Sequence, residues 1–268
     1  VHRDLDALER QGVVRKYRGG VTAQPTGVFE SNVAYRMNTA QEQKQALARR
    51  ARAMVEPGMS VMLDDSTTAL AVVRLLEDVT PLTVATNFLP AISLLTAMPG
   101  VQLVVLGGIY SPTHDSFGGV PCADAVEALH TDLLLCSVSA VSATHAYHQE
   151  QEIVLVKRAM LRAARTRVLL IDSAKLRRTA LHRLAPLTDF DLVLVDEQAP
   201  AEQVAALRDH GAAVALRAAP RRVSRSRTST TCAAQATWTA TYPSATGSRA
   251  APPGSDVAGT ASATASTA

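Results

Sequence analysis

Cysteine is scarce in this sequence: Cys122, Cys136 and Cys232 are the three thiols in 268 residues. Their odd number, wide spacing and lack of a C-x-x-C pair exclude a disulfide framework and give no zinc signature. A reducing, cytoplasmic setting is the expectation. No apolar run reaches the roughly 18 to 20 residues that span a bilayer, and residues 1–10 are charged rather than apolar. Neither a membrane span nor a secretory signal is expected. Collagen-like and coiled-coil classes are also excluded, lysine is sparse beside arginine, and no cofactor signature is present.

With 47% hydrophobic residues, the chain has enough apolar material for one sizeable core plus something smaller. The net charge of +3 is unevenly placed. Residues 217–268 hold six arginines against Asp256 alone, a balance of +5, which leaves −2 for residues 1–216. At the front of this mildly acidic body, Arg3, Arg10, Arg15, Lys16 and Arg18 oppose Asp4, Asp6 and Glu9. A basic segment ahead of an acidic body points toward nucleic acid. Residues 217–268 are Ala, Ser, Thr, Pro, Gly and Arg with almost no Leu, Ile or Val, too little apolar surface to offset the entropy of ordering, so disorder is expected there.

Between these ends, short Val/Leu/Ile-rich runs at 60–63, 82–86, 102–106, 133–139, 168–171, 192–195 and 213–216 read as buried strands. Segments with helical spacing lie between them at 67–76, 90–98, 123–129, 152–164 and 201–210, and another at 41–55 is closed by Pro57-Gly58. Apolar strands alternating with helices predict an α/β fold, a doubly wound, mostly parallel sheet covered on both faces. Residues 22–40 lack a clear period and read as a linker. Ahead of it, Val1, Leu5 and Leu8 form a helical stripe ended by Gly12, and V-V-R-K-Y-R-G-G-V reads as a basic strand entering a tight turn.

The stretch H-R-D-L-D-A-L-E-R-Q-G-V-V-R-K-Y-R-G-G-V resembles the second half of the winged helix-turn-helix of DeoR-type bacterial transcriptional regulators. That resemblance implies double-stranded operator DNA as a partner. It places His2 and Arg3 at the start of the recognition helix, with Arg15, Lys16 and Arg18 in the wing for backbone contacts. The segment begins inside the recognition helix, so the expectation is a truncated motif: residues 1–21 as a partial winged helix-turn-helix, 22–40 as linker, 41–216 as the effector-sensing α/β domain and 217–268 as tail. Loss of DNA binding through that truncation, leaving an effector-binding or dimerising protein, is the alternative.

In the body, L-D-D-S-T-T stands where the first strand hands over to a helix, a place where strand-end loops bind anionic groups, although Ser66 or Thr67 would equally make an ordinary helix cap. Polar or glycine residues recur at later strand ends: Thr86-Asn87, Gly107-Gly108 and Asp172-Ser173-Ala174-Lys175. L-D-D-S-T-T-A-L, V-A-T-N, L-V-V-L-G-G, S-F-G-G, V-K-R-A-M and D-S-A-K are similar to the sensor domain of the same family, with the fold of the phosphosugar-isomerase and CoA-transferase group. The resemblance implies a repressor of a carbohydrate-catabolism operon, a homo-oligomer, controlled by a phosphorylated sugar. Asp64, Ser66, Thr67, Thr68, Asn87, Gly107, Gly108 and Lys175 would line its pocket, with Lys175 facing the phosphate.

An enzyme is the competing class, since sugar-phosphate isomerases share the fold and Asp64, Asp65, His145 and Lys175 are conceivable acid–base groups. Val138-Ser139-Ala140-Val141 offers no carboxylate or base after the fourth strand, so no catalytic residue is assigned. His145 and His148 have a metal-like i, i+3 spacing but no carboxylate or cysteine set beside them, and read as exposed loop histidines rather than metal ligands.

Overall fold

The computed structural model describes residues 32–216 without a break and, before them, residues 5–6, 8–9, 14–17 and 20–23. The tail expected at 217–268 lies outside the described residues, as do His2, Arg3, Arg18 and the side chains of Arg15 and Lys16. Leu5, Asp6, Leu8 and Glu9 are helical; the two leucines are half-buried and the two acids exposed, the two faces of an amphipathic helix. Strands β1 (Val14–Tyr17) and β2 (Gly20–Ala23) pair antiparallel, with Arg15 opposite Thr22 and Lys16 opposite Val21.

Helices α1 (Val33–Asn38) and α2 (Gln41–Arg52) lead into strand β3 (Ser60–Leu63) and helix α3 (Thr67–Val73). Strand β4 (Leu82–Thr86), helix α4 (Leu89–Leu95) and strand β5 (Val101–Val105) follow, then a hairpin of β6 (Ile109–Ser111) and β7 (Ser116–Gly118). Helix α5 (Gly119–Glu127) precedes β8 (Thr131–Cys136), β9 (Ala140–Val141) and β10 (His145–His148). Helix α6 (Gln151–Ala163), β11 (Ala164–Ile171), β12 (His182–Pro186), β13 (Leu192–Val195), helix α7 (Ala201–Asp209) and β14 (Val214–Ala215) complete the body.

Seven strands form one sheet in the order β14-β13-β11-β8-β3-β4-β5, and each neighbouring pair is parallel. The period of two along each strand divides the core. On β11, Val168 and Leu170 join the cluster shared with α2, α3 and α4, while Leu169 and Ile171 join the one shared with α5, α6 and α7. Leu133 and Leu135 of β8 alternate with Leu134 and Cys136 in the same way. Both faces being covered explains why these strands read as continuous apolar runs. Each such Leu, Val or Ile contributes about 1.5–3 kcal/mol of burial.

The element boundaries differ from the sequence reading for local reasons. β8 stops at Cys136 rather than continuing to 139, because the amide of Ser137 leaves the ladder to donate to Asp64 (2.8 Å). α2 ends at Arg52, where the chain tightens into i→i+3 bonds (Met54 to Ala51, Val55 to Arg52) ahead of Pro57. α5 begins at Gly119, four residues early, with Pro121 in a first turn that needs no amide donor. Within the stretch read as linker, Val33–Asn38 is a helix, N-capped by Asn32, whose side chain accepts from the Tyr35 amide at 3.1 Å. A small antiparallel sheet, β12-β10-β9, was not visible in the apolar pattern.

Candidate functional site

The strand order reverses between β3 and β8: the chain runs outward through β4 and β5, returns beside β3 and continues outward on the other side. Such a switch point opens a crevice at the strand C-terminal ends. Asp64 and Asp65 leave β3 there and Ser137 leaves β8. Asp64 Oδ1 accepts the Ser66 amide at 3.1 Å, and Oδ2 accepts the Ser137 amide at 2.8 Å and Lys157 Nζ at 2.5 Å. Asp65 Oδ1 accepts Lys157 Nζ at 2.9 Å, and its Oδ2 accepts the Ser116 hydroxyl at 3.2 Å. All three charged side chains are buried. Burial pushes the Asp65 carboxyl up, but the charges of Lys157 and Arg36 outweigh it and hold that carboxyl well below the usual carboxylate range. Burial pulls Lys157 down, and the two carboxylates more than reverse that, so it stays an ammonium.

A second layer lies over this floor. Helix α1 is tied to the β6–β7 turn by the Val33 amide, which donates to Thr113 O at 2.9 Å. Arg36 of α1 donates to His114 Nδ1 at 3.3 Å, which leaves His114 Nε2 to donate to Glu150 at 2.8 Å. Lys44 of α2 donates to the carbonyls of Arg36 and, at 2.7 Å, Thr39, and so holds the C-terminal end of α1. On the far side, Lys175 sits on a 3-10 turn after β11, 3.2 Å from both Asp172 and the Ser137 hydroxyl. Asp196, after β13, fixes that turn by accepting the amide and hydroxyl of Ser173.

The structure brings most of the sequence-selected residues together. Asp64 is fully buried beneath the site with both oxygens engaged, and the hydroxyl of Ser66 accepts the Ala69 amide at 3.0 Å, the ordinary cap that its position allowed. Thr67 and Thr68 follow on α3, and Thr68 Oγ1 is buried without a hydrogen-bond partner among the described residues. Asn87 donates to Phe117 O at 2.7 Å, one residue from Ser116, so β4 joins the cluster through the β6–β7 hairpin. Lys175 joins it through Ser137.

Gly107 and Gly108 stand apart, exposed at the end of the outer strand, with no hydrogen bond or ion pair to the cluster among the described residues. At Gly108, φ is +151° and a Cβ would meet Gly118 O at 2.5 Å, so close packing of the hairpin requires the glycine. The histidine expectation needs correction. His145 and His148 lie on β10, not in a loop, and His148 is buried beside His114 with ring centroids 6.4 Å apart. Residues three apart on a strand face opposite sides, which removes the geometry of a shared metal. Among the described residues no group of three His, Cys, Asp or Glu side chains could hold a metal ion.

Lys157, Arg36, His114 and Lys44 were not singled out from the sequence. Lys157 lies inside V-K-R-A-M, on a helix whose other inward positions are apolar, and its carboxylate partners are 92 and 93 residues away. Composition held one signal. The chain has four lysines, and three of them, Lys44, Lys157 and Lys175, stand at this site.

Comparison with known proteins agrees with this architecture. Residues 39–197 match the family model described as the DeoR C-terminal sensor domain. A protein from Escherichia coli O157:H7, provisionally named a transcriptional repressor of the aga operon, is 31% identical over 81% of this chain and 81% of its own length. The HTH-type transcriptional repressor GlcR of Bacillus subtilis is 29% identical over 72% and 75% of the two chains. The glycerol-3-phosphate regulon repressor of Escherichia coli K12 is 24% identical over 78% and 83%.

Proposed function

The chain belongs to the DeoR family of transcriptional regulators, and from that premise we propose that it represses a carbohydrate operon and releases its operator when a phosphorylated sugar occupies the switch-point site. The observation that carries this reading is the polar, lysine-bearing cluster at the strand C-terminal ends where Asp64 and Ser137 meet, within the segment that matches the sensor domain. The N-terminal helix and the β1–β2 hairpin supply the DNA contacts in this reading, His2 and Arg3 at base edges or phosphates and Arg15, Lys16 and Arg18 on the DNA backbone. Control needs only that the effector bind one arrangement of sensor and wing more tightly than the other.

The site senses rather than turns over its ligand. A general base working near neutral pH needs a pKa near that pH, and Asp65 is held far below it by Lys157 and Arg36. Asp64 has both oxygens engaged by Ser66, Ser137 and Lys157. Copies of the chain associate in this reading, which the exposed Val105, Ile109, Tyr110 and Val120 around the outer strand β5 support.

The test is a titration of the chain with promoter DNA from its neighbouring sugar operon at several salt concentrations, with and without a panel of sugar phosphates. The expected result is binding that weakens steeply with salt and is released by one phosphate ester but not by the unphosphorylated sugar. Binding indifferent to every ester in the panel, together with an unchanged melting temperature, rejects the reading.

A further inference from the structure

The central sheet has two edges, and they are finished differently. β14 is two residues long, and the Arg208 guanidinium donates to the Val214 carbonyl at 3.2 Å, so that edge is short and partly covered. β5 closes the other side with five residues, V-Q-L-V-V, none of them charged and none proline. Its register with β4 runs without a bulge. Long, flat, uncharged edges are templates for pairing with another chain, and proteins that leave an edge open blunt it with charge, proline, a bulge or short length. β14 is blunted in this way and β5 is not.

The hydrogen bonds show which groups of β5 are spare. The Leu82 amide donates to Gly100 O at 3.0 Å and the Leu106 amide to Thr86 O at 2.9 Å, so the even-numbered positions of this segment bond to β4. Bonding alternates along a parallel strand, which turns the amides and carbonyls of Val101, Leu103 and Val105 outward. No strand among the described residues lies beyond them. Burial agrees: β3, β4, β8 and β13 each bury three or more of their residues, whereas β5 buries none.

Apolar surface gathers around the same edge. Seven large apolar side chains are exposed among the described residues, and four of them, Val105, Ile109, Tyr110 and Val120, stand on β5, β6 and the start of α5. They adjoin one another, since Ile109 Cδ1 lies 3.1 Å from where a Cβ on Gly119 would stand. Charge is missing over a long span: from Val79 to His114 there is no Asp, Glu, Lys or Arg, in a chain that is 19% charged. Such a face gives nucleic acid or a charged peptide no electrostatic hold, and it can meet a copy of itself without opposing like charges.

We propose that two copies of the chain pair antiparallel along β5 about a twofold axis at Leu103, joining their seven-stranded sheets into one. In that register Leu103 of one copy faces Leu103 of the other, and Val101 faces Val105. These are the hydrogen-bonded pairs of an antiparallel ladder, so every outward amide and carbonyl of both strands finds a partner, and Val105 is covered by Val101 of the second copy. The interface is isologous and closes at two copies, leaving the blunted β14 at both ends of the joined sheet. This inference rests on the self-association in the reading above and fixes its strand, register and symmetry. The β6–β7 hairpin that borders the seam also carries His114 and Ser116 of the candidate site, so the interface and the site share an element.

The test follows the full chain by sedimentation velocity over a range of concentrations, for wild type, Val105→Lys and Ile109→Asp, with circular dichroism to establish that each is folded. Wild type is expected to sediment as a dimer or a larger even-numbered assembly, and the dissociation constant to rise about tenfold or more in each variant. Register is read with Leu103→Cys and Gln102→Cys, each combined with Cys232→Ser; Cys122 and Cys136 are buried. Facing Cα atoms of a hydrogen-bonded pair stand about 5.5 Å apart, within disulfide reach, so mild oxidation is expected to link Leu103→Cys into covalent dimers faster than Gln102→Cys. A wild-type chain that stays monomeric at every concentration overturns the proposal, as does a dimer indifferent to both charged substitutions or equal crosslinking at the two cysteine positions. Should Leu103→Cys fail to fold, Val105→Lys and Ile109→Asp, altered at exposed positions, decide the matter. Titrating the same samples with sugar phosphates keeps the two readings apart: a monomer that binds an ester loses the interface alone, and a dimer that binds none loses the sensor reading alone.

Discussion

The two ends of the parallel sheet both tie strands together with carboxylates, and they differ in how much water they share. At the N-terminal end, Asp132 accepts the Ser60 amide at 3.0 Å and hydroxyl at 2.8 Å and lies 3.2 Å from Arg165. Beside it, Asp191 takes the amide of Arg167 at 2.8 Å and its guanidinium at 3.0 Å. The side chains of these ion pairs are 33% to 62% exposed, so solvent competes for every bond. At the C-terminal end, Asp64, Asp65 and Lys157 are within 6% of full burial. The chemistry is the same, but only the dry end creates a fixed electrostatic environment that a ligand can feel.

Removing the cation at the dry end should have the largest effect. Lys157→Met leaves two buried carboxylates without their partner and is expected to cost about 3–5 kcal/mol in chemical denaturation. A loss below about 1 kcal/mol would make the two ends equivalent. Acid should discriminate next. The folded pKa of Asp65 lies below its unfolded value near 4, so the unfolded chain takes up the proton first as pH falls; its stabilisation is complete above about 4 and is lost below that. Urea midpoints measured from pH 6 to 3 should fall less steeply in Asp65→Asn than in wild type. At alkaline pH the slope has the same sign for Lys44, whose folded pKa of about 8 lies below its unfolded 10.5. Between those values the unfolded chain holds more protons, so wild-type stability relative to Lys44→Met is expected to rise with pH, and a flat difference would contradict it. The smallest effect belongs to the wet end, where Arg167→Ala should change stability by about 1 kcal/mol or less, and by less still in high salt.

How much of this was legible beforehand depended on the range over which each signal acts. The strands at Ser60–Leu63, Leu82–Thr86 and Leu192–Val195 coincide with apolar runs in the sequence, because burial on both faces keeps most of their positions apolar. Ser66 was legible as a cap because capping acts within three residues. Helix α1 was not, since its six residues carry no buried side chain and so no periodic stripe. Strands β9, β10 and β12 were missed for a related reason: their pairing joins residues such as Ala146 and Ala185, far apart in the chain and too few for a pattern. The partners of Lys157 follow from the fold alone, and nothing local to V-K-R-A-M announces them.

The reversal of strand order also dictates the sequence of events when the chain is made. β3, β4 and β5 are consecutive neighbours and can pair as soon as they emerge, but the opposite edge of β3 must wait for β8, with Ser60 and Asp132 separated by 72 positions. During that wait a nascent chain displays a half-sheet with Val61, Met62 and Leu63 at an open border, and closing a loop of that length makes the step slow. Slowing translation between β5 and β8 is therefore expected to lengthen the time that edge stands open, and aggregation during synthesis should rise with it.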